Sequence, residues 1–194
     1  MDILIPIETT SREILYKNYL CHQLALKGFN CYLGNKRNIS FLLQKFENYV
    51  YIDKGYHKEV SDRLYKTIKQ QKGFILSLDE EGGVDFPDNS TLINRYTDPL
   101  LKASELVFLW GEKQYQLINN LLKDSSNKLV ITGHPRFELL KPAYRHFYEE
   151  DVNDLKRHHV NFILINTNIG FVNNIKGDDS VIEITERESR TYRK

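Results

Sequence analysis

Phe74-Ile75-Leu76-Ser77-Leu78-Asp79-Glu80-Glu81-Gly82-Gly83 is the stretch whose reading decides the fold. Its first half is a nearly continuous apolar run, which fits a strand covered on both faces rather than one with a solvated side. Its second half sets three carboxylates and two glycines directly at the strand's C-terminal end. Upstream, Lys58 to Gln71 has a helical pattern, with Val60, Leu64 and Ile68 at spacing four, closed by Gly73. Helix then buried strand is half of a β-α repeat, and the rest of the chain supplies the other copies.

Toward the N-terminus, Tyr49-Val50-Tyr51-Ile52 and Cys31-Tyr32-Leu33 read as strands, with helical sequence from Ile39 to Phe46 between them. Ile3-Leu4-Ile5-Pro6-Ile7 is the first strand. Thr10 with Glu13 reads as a T-x-x-E capping box opening a helix that carries Leu15, Leu20, Leu24 and Ala25, with Gly28 in the left-handed C-terminal position. Toward the C-terminus, a Gly-, Asp-, Asn- and Pro-rich loop runs from Asp79 to about Ser90. Leu106 to Trp110 and Leu129-Val130-Ile131 then read as strands separated by a helix over Glu112 to Leu122. The expectation is an α/β, Rossmann-like, mostly parallel sheet of about six strands with helices on both faces.

After Pro142 the pattern predicts a charged, aromatic helix to about His159. A further strand follows over 161–168, and then a polar tail that is poorly ordered from about Gly177. The expected division is 1–159 for the Rossmann-like domain and 160–194 for the start of a second domain plus tail. A strand without its own sheet would add to the edge of the first one or favour self-association.

The chain has 194 residues and 41% hydrophobic residues, which is globular composition. With 27 basic against 26 acidic side chains it has a net charge of +1, so there is no electrostatic case for a nucleic-acid partner. Cys21 and Cys31 form no C-x-x-C pair, and His158-His159 has no ligand partners at metal spacing, so no metal is expected. Neither G-x-G-x-x-G, nor G-x-x-x-x-G-K-[ST], nor G-x-S-x-G occurs, and no cofactor is expected. The N-terminus lacks a signal-peptide pattern and no window approaches a spanning helix. A cytoplasmic protein with at most peripheral membrane association is expected.

Ligands of open parallel sheets bind beyond the carboxyl ends of the strands. Polar motifs sit there: Glu8-Thr9-Thr10, Asp79-Glu80-Glu81-Gly82-Gly83, Trp110-Gly111-Glu112 and Thr132-Gly133-His134-Pro135-Arg136. Crowded carboxylates repel, so they need cations, backbone donors or raised pKa values, and such crowding suits a general acid or base. A solvated acidic turn with glycines for φ > 0 is the plainer alternative. Backbone amides near Gly133 and the fork of Arg136 suit a carboxylate or phosphate, and His134 suits proton transfer near neutral pH. A purely structural turn is again the alternative. Glu8, Asp79, Glu80, Glu81, His134 and Arg136 are expected to converge on one edge.

These motifs together resemble the bacterial surface-carbohydrate (surface polysaccharide and lipopolysaccharide) biosynthesis proteins, which look like GT-B glycosyltransferases. The matching residues are Ile3 to Glu8 with Arg12-Glu13, Leu78 to Gly83, Trp110-Gly111, Thr132 to Phe137 and Ile163 to Asn168, spread over roughly residues 1 to 175. The resemblance implies an acceptor-side domain, with Glu80, Glu81 and Asp79 as catalytic carboxylates. It implies that Glu8, Gly82, Gly83, His134 and Arg136 bind a glycan or lipid-linked glycan acceptor. It further implies a nucleotide-sugar donor bound by a second domain that would start near Asn161. Only 26 residues follow Asn168, so that domain is expected to be truncated and the chain inactive alone. A non-catalytic glycan-binding or assembly module is the alternative. A flavodoxin-like or response-regulator-like domain is weaker, because Glu8-Thr9-Thr10 does not supply a receiver's acidic cluster.

Overall fold

The computed structural model describes residues 1–81, 87–121, 127–159 and 161–165. The chain divides into two units, Met1–Phe147 and Tyr148–Lys194. In the first, β1 (Asp2–Ile7), α1 (Thr10–Ala25), β2 (Asn30–Asn35), α2 (Lys36–Leu42), β3 (Val50–Asp53), α3 (Val60–Gln70) and β4 (Phe74–Leu78) alternate without interruption. Two short helices, α4 (Ser90–Arg95) and α5 (Asp98–Ala103), precede β5 (Leu106–Leu109), α6 (Glu112–Leu121), β6 (Leu129–Ile131) and α7 (Pro135–Glu138). A 3-10 segment over Pro142–Tyr148 leads to α8 (Glu149–His158) of the second unit.

The described strands form one sheet of six, every pairing parallel, in the order β2-β1-β3-β4-β5-β6. The expected Rossmann-like α/β architecture is therefore present. Its order is the doubly wound variant in which one strand, not two, lies beyond β1. The chain steps from β1 to β2 in one direction, and from β2 it crosses back to β3 and continues through β6. Right-handed crossovers then put α1 on one face and the remaining connecting helices on the other.

The two faces are filled unequally. Leu4, Tyr51, Ile75, Val107 and Leu109 point into the larger core, where Ile39, Tyr65, Ile68, Leu100, Leu101 and Ile118 meet them. On the opposite face the buried cluster among the described residues is Ile3, Ile5 and Val50, with Cys21, Leu24 and Phe29 packed at its margin. Gly28 adopts φ 85°, the left-handed end to α1 that its position predicts.

Several boundaries and faces differ from the sequence reading. Thr9, not Thr10, caps α1, and its side chain makes no capping bond. Leu15 is exposed, while Glu13, Tyr16 and Lys17 form the buried face of the helix. Hydrophobic spacing misreads the first turns of this helix, where the inward positions hold Glu13 and Lys17 beside Tyr16, while Leu24 further along does pack on the sheet. Val60 of α3 is also exposed, while Ile68 is fully buried. The segment after Pro142 is not one helix but a 3-10 segment followed by α8. Phe162 to Ile165 form no strand; all four are exposed, having no partner strand among the described residues. Residues 166–168 of that expected strand, and the tail, lie outside the described residues. Among the described residues no helix is long and apolar enough to cross a membrane.

Candidate functional site

The C-terminal ends of the strands open onto a single edge, where the direction of the chain reverses between β1 and β3. That reversal splits the connections to opposite faces and leaves a crevice, the usual ligand position in such sheets. Glu8 follows β1, Lys36 follows β2, Asp53 ends β3 with Lys54 just after it, and Asp79-Glu80-Glu81 follow β4. Trp110 follows β5, and His134 caps α7 after β6.

Glu80 is the hub. Its side chain is 2% exposed and lies 3.1 Å from Lys17 Nζ and 3.2 Å from Arg136 Nη2. Tyr16 donates its hydroxyl to the same carboxylate, and Arg136 also donates to the Glu80 carbonyl at 2.7 Å. His134 Nε2 lies 3.5 Å from Glu80 Oε2. The His134 ring is boxed in by Tyr16 and Trp110, with centroids 5.1 and 4.7 Å away. Trp110 Nε1 donates to the Asp79 carbonyl at 2.7 Å, and the Arg136 guanidinium lies over the indole.

A second buried carboxylate, Glu13, accepts from the Glu8 and Thr9 amides at 3.1 Å each and pairs with Lys17 at 2.6 Å. Arg12 and Lys54 approach it at 3.3 Å. Lys54 also pairs with Glu8, which Lys36 holds from outside at 2.9 Å. Arg95 of α4 pairs with both Asp79 and Glu81, and Arg12 reaches Glu81 at 3.5 Å. Glu8, Glu13, Asp79, Glu80 and Glu81 thus form one continuous network with Arg12, Lys17, Lys36, Lys54, Arg95 and Arg136. The fixed charge of these groups is positive by one.

Of the residues expected at the site, Glu8, Asp79, Glu80, Glu81, His134 and Arg136 are all brought to this edge. Gly82 and Gly83 lie outside the described residues. Asp79 and Glu80 are buried and held by cations, whereas Glu81 and Glu8 are about half exposed. Glu13, Tyr16, Lys17, Lys54 and Arg95 were not expected as site residues. Glu13 and Lys17 carried a readable signal, an acid and a base four apart just after the first strand. Arg95 carried none, because only the return of α4 over the β4 end brings it to Asp79. Among the described residues no group of three or more metal-binding side chains could hold a metal ion.

The pairing sets the ionisation. Lys54 and Lys36 bring the Glu8 carboxyl down to about 2. Burial opposes ionisation of Glu13, but Lys17 and the two amides outweigh it, and its carboxyl also falls to about 2. Burial lowers the Lys17 ammonium from its ordinary value against the pull of Glu13. Asp53 behaves oppositely. Burial pushes it up to about 6, although Tyr65 donates to it at 2.5 Å.

These shifts predict a peaked stability profile. Glu8 and Glu13 have depressed folded-state values, so their stabilisation is present above about 4.5 and lost as pH falls toward 2. Asp53 has a raised value, so its contribution is present below about 3.8 and lost as pH rises through about 6. Glu13 and Asp53 are each worth about 3 kcal/mol by the 1.36 kcal/mol per unit conversion. Thermal unfolding should show Tm rising from pH 2 to about 4.5 and a declining limb up to about 6. Tyr65→Phe removes a bond to ionised Asp53 and should move the declining limb to higher pH. A profile flat between pH 4 and 6 would contradict this assignment.

Set against protein-family models, curated proteins and solved structures, the chain matches none.

Proposed function

We propose that this chain is the acceptor-side domain of a GT-B-like glycosyltransferase of surface polysaccharide or lipopolysaccharide assembly, working in the cytoplasm. The observation that carries this reading is the meeting of the acidic loop and the Gly-His-Pro-Arg turn through Glu80 and Arg136 at the strand ends. A sugar acceptor presents many hydroxyls and often an acidic group. An edge with partly exposed Arg12, Lys36, Arg136 and Glu81 offers donors and acceptors to both. Glu81 is the carboxylate of the acidic loop best placed to take a proton from an acceptor hydroxyl, since Asp79 and Glu80 are buried among cations. The nucleotide-sugar donor belongs to a second domain, because the described residues hold one doubly wound sheet and GT-B-like transfer uses two.

The same saturation of charge favours a second reading, a non-catalytic glycan-binding or assembly module. Every acidic candidate already has a cation, which suits a preformed binding edge better than a reactive base.

Calorimetric titration of the full chain with neutral and acidic oligosaccharides tests the shared core of both readings. Arg136→Gln and Glu81→Gln should each weaken the best binder by about 10- to 100-fold, the usual size of a lost charged hydrogen bond. Absence of glycan binding, or binding indifferent to both variants, would reject both.

A further inference from the structure

Cys21 lies in the last turns of α1 and Cys31 at the second position of β2, and the transfer reading uses neither. The turn between the two elements brings them level. Cys21 precedes the end of α1 by four residues, roughly 6 Å at the helical rise. Cys31 lies two residues past Phe29, roughly 7 Å of strand in the returning direction. Two backbone bonds fix that turn, from the Gly28 amide to the Ala25 carbonyl at 2.9 Å and from the Phe29 amide to the Leu24 carbonyl at 3.2 Å. The side chains also share a face of the sheet. Tyr32 of β2 packs on the larger core, whereas Cys31, Leu33 and Cys21 pack on the Ile3, Ile5 and Val50 cluster. There the Cys21 thiol donates a hydrogen bond to the Cys31 sulfur. We propose that Cys21 and Cys31 form a disulfide on oxidation by a small-molecule disulfide of the glutathione type, pinning α1 to β2.

The exchange has two steps. The Cys31 sulfur, the acceptor of the thiol pair, attacks as thiolate and displaces one thiolate from the reagent, leaving a mixed disulfide. Cys21 then gives up its proton, and its sulfur attacks the Cys31 sulfur and expels the second thiolate. Two protein thiols are oxidised and one reagent disulfide is reduced to two thiols. Burial pushes the Cys21 thiol up to about 12 and raises Cys31 as well, so few thiolates stand ready at neutral pH and closure is slow there. Both thiols are free and half-buried, as a reduced pair awaiting oxidation should be. Closing the hydrogen bond to the covalent length of about 2.05 Å draws α1 onto β2. Cys21 is one turn beyond Lys17, so the bond anchors the helix that carries Tyr16 and Lys17 to Glu80.

The proposal does not rest on the transfer reading, because its test uses no sugar. The full chain is equilibrated with mixtures of reduced and oxidised glutathione, both folded and in denaturing guanidinium. Acid trapping, alkylation and mass spectrometry then count the free thiols. If the fold aligns the pair, closure should be about 10- to 100-fold more favourable in the folded chain than in the denatured one. The same preference requires the oxidised chain to melt roughly 3–10 °C above the reduced one. In the folded chain the rate of closure should rise about tenfold per pH unit between pH 7 and 9, following the thiolate. Cys21→Ser and Cys31→Ser should each retain a single glutathione on the remaining cysteine and show no gain in melting temperature on oxidation. Equal closure in the two states, or an oxidised chain that melts no higher than the reduced one, would overturn the proposal. A folded chain that ends with glutathione on both cysteines, or joined to a second copy, would overturn it too.

Discussion

Replacing Lys17 with methionine is expected to cost about 3–5 kcal/mol of folding stability, the usual penalty for removing one partner of a buried ion pair. Lys17 is almost fully buried and sits between two buried carboxylates, 2.6 Å from Glu13 and 3.1 Å from Glu80, with a further bond to the Pro6 carbonyl at 2.7 Å. Methionine fills most of the volume, so the loss reports charge and hydrogen bonding rather than a cavity. Left without it, Glu13 would be buried with less compensation and would titrate higher, so the acid limb of the stability profile should move up in pH. Glu13→Gln in the same background separates the terms. The double variant should lose clearly less than the sum of the singles, since each single leaves an unmatched charge that the double does not. Urea unfolding of the four proteins measures this directly. Additive losses would show that Lys17 and Glu13 do not act as a pair.

The larger expected effect concerns transfer. On the proposed glycosyltransferase reading, the 194-residue chain, given nucleotide sugars and a soluble or lipid-linked acceptor, should show no measurable sugar transfer, while a separately expressed donor-binding domain added to it should restore turnover. Holding donor and acceptor in reacting geometry is worth ~7–11 kcal/mol of barrier, or roughly 10⁵- to 10⁸-fold in rate, and a single sheet edge orients only one of them. Turnover by the chain alone would place a donor seat on this unit and overturn the domain assignment. Silence of every mixture, together with retained glycan binding, would favour the non-catalytic module.

Much of the fold was legible in local pattern. Apolar runs such as Phe74 to Leu78 alternate with helices, and parallel strands buried on both faces require such runs. Gly28 takes the left-handed end of α1, whereas after α3 that conformation falls to Lys72, at φ 56°, just before Gly73. Rules for where ligands bind such sheets then placed Glu8, the acidic loop and the Gly-His-Pro-Arg turn on one edge. Short helices with no strong periodicity escaped, as α4 and α5 did. Phe162 to Ile165 show the converse, because apolar β-rich sequence becomes a strand only where another strand offers its hydrogen bonds.

By itself, then, the sequence determined the parallel α/β sheet and which loops share its edge, since both depend on periodicity and chain order. The tertiary structure alone decided who pairs with whom. Glu80 meets Tyr16, Lys17 and Arg136 across 64, 63 and 56 positions of sequence, and Asp79 meets Arg95 only because α4 returns over β4. The face that each crossover helix covers was equally invisible, because helix patterns do not state it. Strand order and crossover hand fix that face, and both are properties of the assembled sheet rather than of any segment.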